Sequence, residues 1–143
     1  MSAKASPDSL STADSPAAPA RPRILVIEDN SDMRDFLQRI LERRGYSYLG
    51  AADGVEGMAL AQSEHPDLVL MDLSLPALDG YEATRLLKAN PEHAAMPILA
   101  VTAHARSVDQ EHALAAGCDA YISKPYGINQ LFDLIERFLS PAQ

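Results

Sequence analysis

The sequence predicts an α/β domain built on a parallel sheet with helices covering both faces. Three observations carry that expectation. Short apolar runs such as Ile24-Leu25-Val26-Ile27, Leu68-Val69-Leu70-Met71 and Ile98-Leu99-Ala100-Val101 are continuous rather than alternating, the pattern of strands buried on both faces. The stretches between them carry apolar residues at helical spacing, so strands and helices alternate along the chain. The 143 residues suit one domain with a core that needs no staples.

The first strand, Arg23 to Ile27, ends in Glu28-Asp29-Asn30. Met33, Phe36, Leu37, Ile40 and Leu41 then form one helical stripe, with Asn30 as N-cap. Arg43-Arg44 and Gly45 close that helix, since cations and then glycine suit a helix C-terminus. Tyr46 to Ala51 reads as the second strand. Asp53 with Glu56 three residues later opens a second helix by a capping box, and Pro66 closes it.

The third strand, beginning at Leu68, stops abruptly at the carboxylate of Asp72, and Leu73-Ser74-Leu75-Pro76 follows. Asp79 with Glu82 opens a third helix, which runs to about Lys88 and fades before Asn90-Pro91. Its Tyr81 to Leu87 face reads as core. Pro97 to Thr102 is the fourth strand, and Ser107 with Gln110 starts a fourth helix that Gly117 ends. Ala120-Tyr121-Ile122 is a brief fifth strand followed by Ser123-Lys124-Pro125. Ile128, Leu131, Phe132, Ile135, Phe138 and Leu139 make the stripe of a last helix. Five strands alternating with five helices at short spacing imply right-handed βαβ crossovers.

Residues 1–22 are rich in Ala, Ser and Pro, and apart from Met1 their only large apolar residue is Leu10. Such a segment cannot bury enough surface to offset its ordering entropy, so it is expected to be a disordered tail preceding a domain at 23–143. In it Lys4 and Arg21 balance Asp8 and Asp14, which leaves the formal net charge of −8 in the domain. That charge, with a pI near 4.8, argues against nucleic acid and against an anionic membrane surface as partners. The apolar runs are too short to span a bilayer, and the tail lacks the apolar centre of a secretory signal, so a cytoplasmic protein is expected. A single cysteine, Cys118, excludes an internal disulfide and reads as a small buried thiol. His65, His93, His104 and His112 read as solvated surface residues, with His104 bordering the candidate site.

In open parallel sheets, ligands bind outside the carboxyl ends of the strands. Every strand but the second brings a polar residue there: Glu28 and Asp29 from the first, Asp72 from the third, Thr102 from the fourth, and Lys124 one residue beyond the fifth. Each alone has an ordinary explanation, as a helix cap, a turn cap, a β-branched strand residue or a solvated charge. Three clustered carboxylates repel one another unless a cation sits among them, and hard oxygen donors suit Mg²⁺. A lysine and a hydroxyl facing a metal-bound carboxylate make sense where a phosphoryl group is held and its charge neutralised.

With these pieces in this order, the chain resembles the response-regulator receiver domains of two-component signalling. The resemblance rests on Ile24 to Asn30, Leu68 to Asp72, Pro76 with Asp79-Gly80, Val101-Thr102-Ala103, and Gly117 to Tyr121 with Lys124-Pro125, and it covers about Arg23 to Leu139. It implies the flavodoxin-like doubly wound fold, strand order 2-1-3-4-5. It further implies that Asp72 takes a phosphoryl group from a histidine kinase or phosphotransfer protein, with Mg²⁺ held by Glu28, Asp29, Asp72 and the backbone carbonyl of Ser74. By the same resemblance Thr102 and Lys124 contact the phosphoryl oxygens, Thr102 and Tyr121 form a switch pair, and Pro125 is cis. Ser74 and His104 occupy positions that vary in the family and tune the phosphoryl lifetime.

The implied protein is a signalling module that catalyses only its own phosphorylation and dephosphorylation. It is expected to be a monomer that signals by binding a downstream protein. The alternative context is a receiver excised from a hybrid histidine kinase, or one acting as a phosphate-relay intermediate. A phosphatase of the haloacid-dehalogenase type would need a second aspartate where Ser74 stands, and a flavin carrier would need a hydroxyl-rich loop where Glu28-Asp29 stands.

Overall fold

The computed structural model describes residues 21–73, 80–102 and 107–139. The expected tail lies outside these except for Arg21 and Pro22, as do Ser74, Pro76, Asp79 and His104. Five strands, β1 (Arg23–Ile27), β2 (Ser47–Ala51), β3 (Leu68–Asp72), β4 (Ile98–Thr102) and β5 (Ala120–Ser123), alternate with five helices. The helices are α1 (Ser31–Arg43), α2 (Gly54–Glu64), α3 (Gly80–Ala89), α4 (Ser107–Ala116) and α5 (Ile128–Leu139). The strands form one parallel sheet in the order β2-β1-β3-β4-β5. The fold is flavodoxin-like and doubly wound, as the resemblance implies. Tyr46 falls just before β2, whose register begins at Ser47 opposite Arg23.

Burial follows position in the sheet. Every residue of β3 and β4 is buried, whereas the edge strands β2 and β5 each bury a single residue, Ala51 and Ile122. Side chains alternate across the sheet plane, which splits the core in two. Ile24, Val26, Leu68, Leu70, Leu99 and Val101 pack with Leu37 and Leu41 of α1 and with Leu131, Phe132 and Ile135 of α5. Leu25, Ile27, Val69, Met71, Ile98 and Ala100 pack with Ala61 of α2, Ala83 and Leu87 of α3, and Ala113 of α4.

The helix ends obey local chemistry. Asn30 Oδ1 accepts from Met33 N at 2.9 Å, and Asp53 Oδ1 accepts from Glu56 N at 2.8 Å, each meeting an otherwise orphaned N–H. Glu56 Oε1 returns the favour to Ala52 N, one residue before the cap itself. The small residues of α2 serve close approach, for a Cβ at Gly57 would collide with the Ile27 side chain. Gly117 ends α4 at φ +114°, in the region glycine favours, and a Cβ there would lie 2.9 Å from Lys88 Cγ.

Candidate functional site

The carboxyl ends of β1, β3, β4 and β5 bring Glu28, Asp29, Asp72, Thr102 and Lys124 to one edge of the sheet. Strand alternation carries Glu28 and Asp72 onto the α1/α5 side, whereas Thr102 and Tyr121 continue the opposite side. Glu28, Asp72 and Thr102 are all buried, and Asp29 is exposed. One oxygen from each of Glu28, Asp29 and Asp72 lies within 4.8 Å of the others, a separation that suits a shared cation.

Lys124 faces this cluster. Its Nζ donates to Glu28 Oε1 and to Asp72 Oδ2, both at 3.2 Å. Its backbone N donates to Thr102 O at 2.6 Å, tying the end of β5 to the end of β4, and the Lys124–Pro125 peptide bond is cis. Glu28 is fixed at both ends: its Oε2 accepts from Asn30 N at 3.1 Å, and its carbonyl accepts from Arg34 Nη1 at 2.8 Å.

The electrostatics reflect crowding. Burial pushes the Glu28 carboxyl above its ordinary value of 4.5, and the Asp72 charge adds to the push against the help of Asn30 N–H and Lys124. Burial works to lower the Lys124 ammonium, but the Asp72 and Glu28 carboxylates outweigh it and hold the lysine above 10.5. Lys124 therefore stays charged at neutral pH.

Two residues of the site had no signature in the sequence. Tyr126 lines a narrow crevice with Val26, Glu28, Leu70, Asp72 and Val101, and burial raises its phenol above 10.0. Only its place two residues after Lys124 hinted at it. Arg34 reaches the Glu28 carbonyl from the first turn of α1. Tyr121 is half-buried and packs against the α2–α4 side of the core, while Cys118 is buried. His93 corrects the expectation of solvated histidines: it is 2% exposed, because the turn after α3 folds beneath the end of α2. Ser74 and His104 lie outside the described residues.

A doubly wound sheet with carboxylates and a lysine at its carboxyl edge defines the class of α/β domains that bind their ligand at the strand ends. The chain belongs to the response-regulator receiver family: the family model for the response regulator receiver domain matches residues 24–136. It is 37% identical over 119 residues to the polar-differentiation response regulator DivK of Brucella ovis, covering 83% of this chain and 97% of that one. Among solved structures, the receiver domain of a sensor histidine kinase from Pseudomonas aeruginosa, described with a magnesium ion coordinated in its active-site cleft, is 36% identical. It superposes with a TM-score of 0.77, covering 83% of this chain and 98% of that one. The chemotaxis protein CheY4 of Vibrio cholerae is 26% identical, with a TM-score of 0.79 over 84% of this chain and all of the other. The protein is thus a receiver of two-component signalling. No helix among the described residues is long and apolar enough to cross a membrane.

Proposed function

We propose that Asp72 is the phosphoacceptor of this receiver and that the phosphorylated domain signals by binding a partner protein. The observation that carries this reading is the placing of Asp72, buried at the end of a central strand with Lys124 Nζ 3.2 Å away and Glu28 and Asp29 beside it. An ammonium has three donors. Two are taken by Glu28 and Asp72, and the third has no acceptor among the described residues. That N–H is available to a phosphoryl oxygen.

The donor is a phosphohistidine of a histidine kinase or phosphotransfer protein. An Asp72 oxygen attacks phosphorus, the P–N bond breaks, and the imidazole leaves with the electron pair and takes up a proton. The product is an acyl phosphate, which water later hydrolyses to free carboxylate and inorganic phosphate. Glu28, Asp29 and Asp72 offer the hard oxygen donors that Mg²⁺ prefers, and the Ser74 carbonyl joins them by resemblance. An ion held by these residues would supply positive charge against the transferring group. Lys124 holds the added charge from the other side, and the Thr102 hydroxyl orients a phosphoryl oxygen by a charge-assisted hydrogen bond.

Output follows from the β4–β5 register. Ala100 pairs with Tyr121 and Thr102 with Ser123, so Thr102 and Tyr121 are near neighbours on one side of the sheet. A shift of Thr102 toward the phosphoryl group alters the packing of Tyr121 against α4, and so the surface of α4, β5 and α5. The likeness to a kinase-borne receiver supports a second context, a relay within a hybrid kinase, with the same chemistry at Asp72.

The test is labelling. Acetyl phosphate or a phosphorylated kinase with Mg²⁺ should add one hydroxylamine-labile phosphoryl group to the wild type and none to Asp72→Asn, whose amide is a far poorer nucleophile. Labelling of the variant at the wild-type level would overturn the assignment.

A further inference from the structure

At the opposite edge of the sheet, where β3 and β4 begin, His65, Glu92 and His93 come together. One ligand atom from each lies within 4.8 Å of the other two. We propose that this trio is a second metal site, for a borderline divalent transition ion such as zinc, distinct from the oxygen-rich cleft.

The chemistry of the donors comes first. Two imidazoles and a carboxylate suit zinc, copper or nickel, not the hard magnesium ion. Strands rise about 3.3 Å per residue, so five-residue strands put this trio roughly 17 Å from the Asp72 edge. The two clusters share no residue.

His93 supplies an independent sign. It is 2% exposed, yet among the described residues no hydrogen bond reaches its imidazole; its one ring contact is His65, at 5.4 Å between centroids. A buried polar ring without a partner is costly, and a metal bond would satisfy it. The turn that carries it is held firm. His93 N donates to Asn90 O and Met96 N to His93 O, while Asn90 Oδ1 accepts from Glu92 N at 2.9 Å. Lys88 Nζ clamps the same turn through Ala94 O and Met96 O. His65 arrives from the end of α2, where it adopts φ +49°, ψ +61° as the C-cap.

Tetrahedral zinc with bonds of about 2.1 Å sets its ligands roughly 3.4 Å apart, so a closure of at most about 1.4 Å per pair completes the site. His65 and Glu92 are exposed side chains and can supply that swing. Three protein ligands leave a fourth position for water. The ion would staple the end of α2 to the turn between α3 and β4.

Zinc titration of the full chain by calorimetry, with Mg²⁺ saturating the acidic cleft, tests this. One equivalent should bind, and the ring resonances of His65 and His93 should move together. Loss of even an outer-shell partner weakens metal sites about 10- to 100-fold, so His65→Ala and Glu92→Gln should each cost at least tenfold in affinity. Both positions are exposed, which keeps the fold intact. His112→Ala should bind zinc as the wild type does. Absence of saturable binding, unchanged affinity in His65→Ala and Glu92→Gln, or a His93 ring unmoved at saturating zinc would each overturn the site.

Discussion

Lys88 and Lys124 stand at opposite edges of the same sheet, and each is largely withdrawn from solvent. Lys88, in the last turn of α3, gives its three N–H bonds to Asp119 Oδ2 at 2.8 Å, Met96 O at 2.8 Å and Ala94 O at 3.3 Å. Asp119 Oδ2 is itself fixed by Ile98 N at 2.8 Å. Lys124 meets two carboxylates at longer range, 3.2 Å each, and its third donor finds no acceptor among the described residues. Lys88 is consumed by structure, joining α3, the next turn and the start of β5. Lys124 balances a surplus of negative charge and keeps capacity for more. The number of satisfied donors separates the two lysines, where burial alone does not.

Methionine at each position sharpens the contrast. Hydrogen bonds to charged groups contribute about 1.5–3 kcal/mol, and breaking a sheltered ion pair sits at or above the upper end, so Lys88→Met should lose about 3 kcal/mol of stability. Urea unfolding should show that loss equally with and without Mg²⁺. Lys124→Met leaves Glu28 and Asp72 facing each other, and should lose about 2 kcal/mol in Mg²⁺-free buffer. Here Mg²⁺ at matched ionic strength should restore most of it, since saturation to 100 times Kd contributes about 2.7 kcal/mol. Recovery of both variants by Mg²⁺, or of neither, would break the comparison.

The smallest effect concerns Cys118, beside the Lys88 clasp. Burial raises its thiol above 9.0, and the Asp119 charge adds to this against the Thr84 hydrogen bond and Lys88. Above pH 9 the unfolded chain ionises first, so the stability the neutral thiol contributes is present below that pH and falls as pH rises through the window. Alkylation of the native protein near pH 8 should be at least about tenfold slower than of the unfolded chain. Lys88→Met, lacking a cation that favours the thiolate, should slow it further. Equal alkylation rates in native and unfolded protein would show that the thiol is not sheltered.

Much of this was legible in the sequence because it depends on local pattern. The continuous run Leu68 to Met71 ending in Asp72 announces both a buried strand and the sheet edge at which the candidate residues gather, and Asn30 and Asp53 mark the helix starts at which the structure finds them. The Lys88–Asp119 clasp left no trace, since its partners are 31 residues apart and each looks like an ordinary surface charge. His93 misled for the same reason. His93 reads as a solvated surface residue, and only packing beneath His65 buries the ring. Tyr126 enters the site by the path of the chain after Pro125, which spacing does not encode.

The strand order has a consequence for a chain made from its amino end. β1 appears first, β2 pairs on one side of it, β3 on the other, and β4 and β5 then extend the far edge. No strand has to be wedged between two that are already paired, so the sheet can grow outward during synthesis. The acidic residues meet as soon as β3 docks, because Glu28, Asp29 and Asp72 belong to the first three strands and their ends. Lys124 emerges only after β5. Over that interval the order of synthesis leaves Glu28 and Asp72 without the lysine that faces both of them in the finished domain.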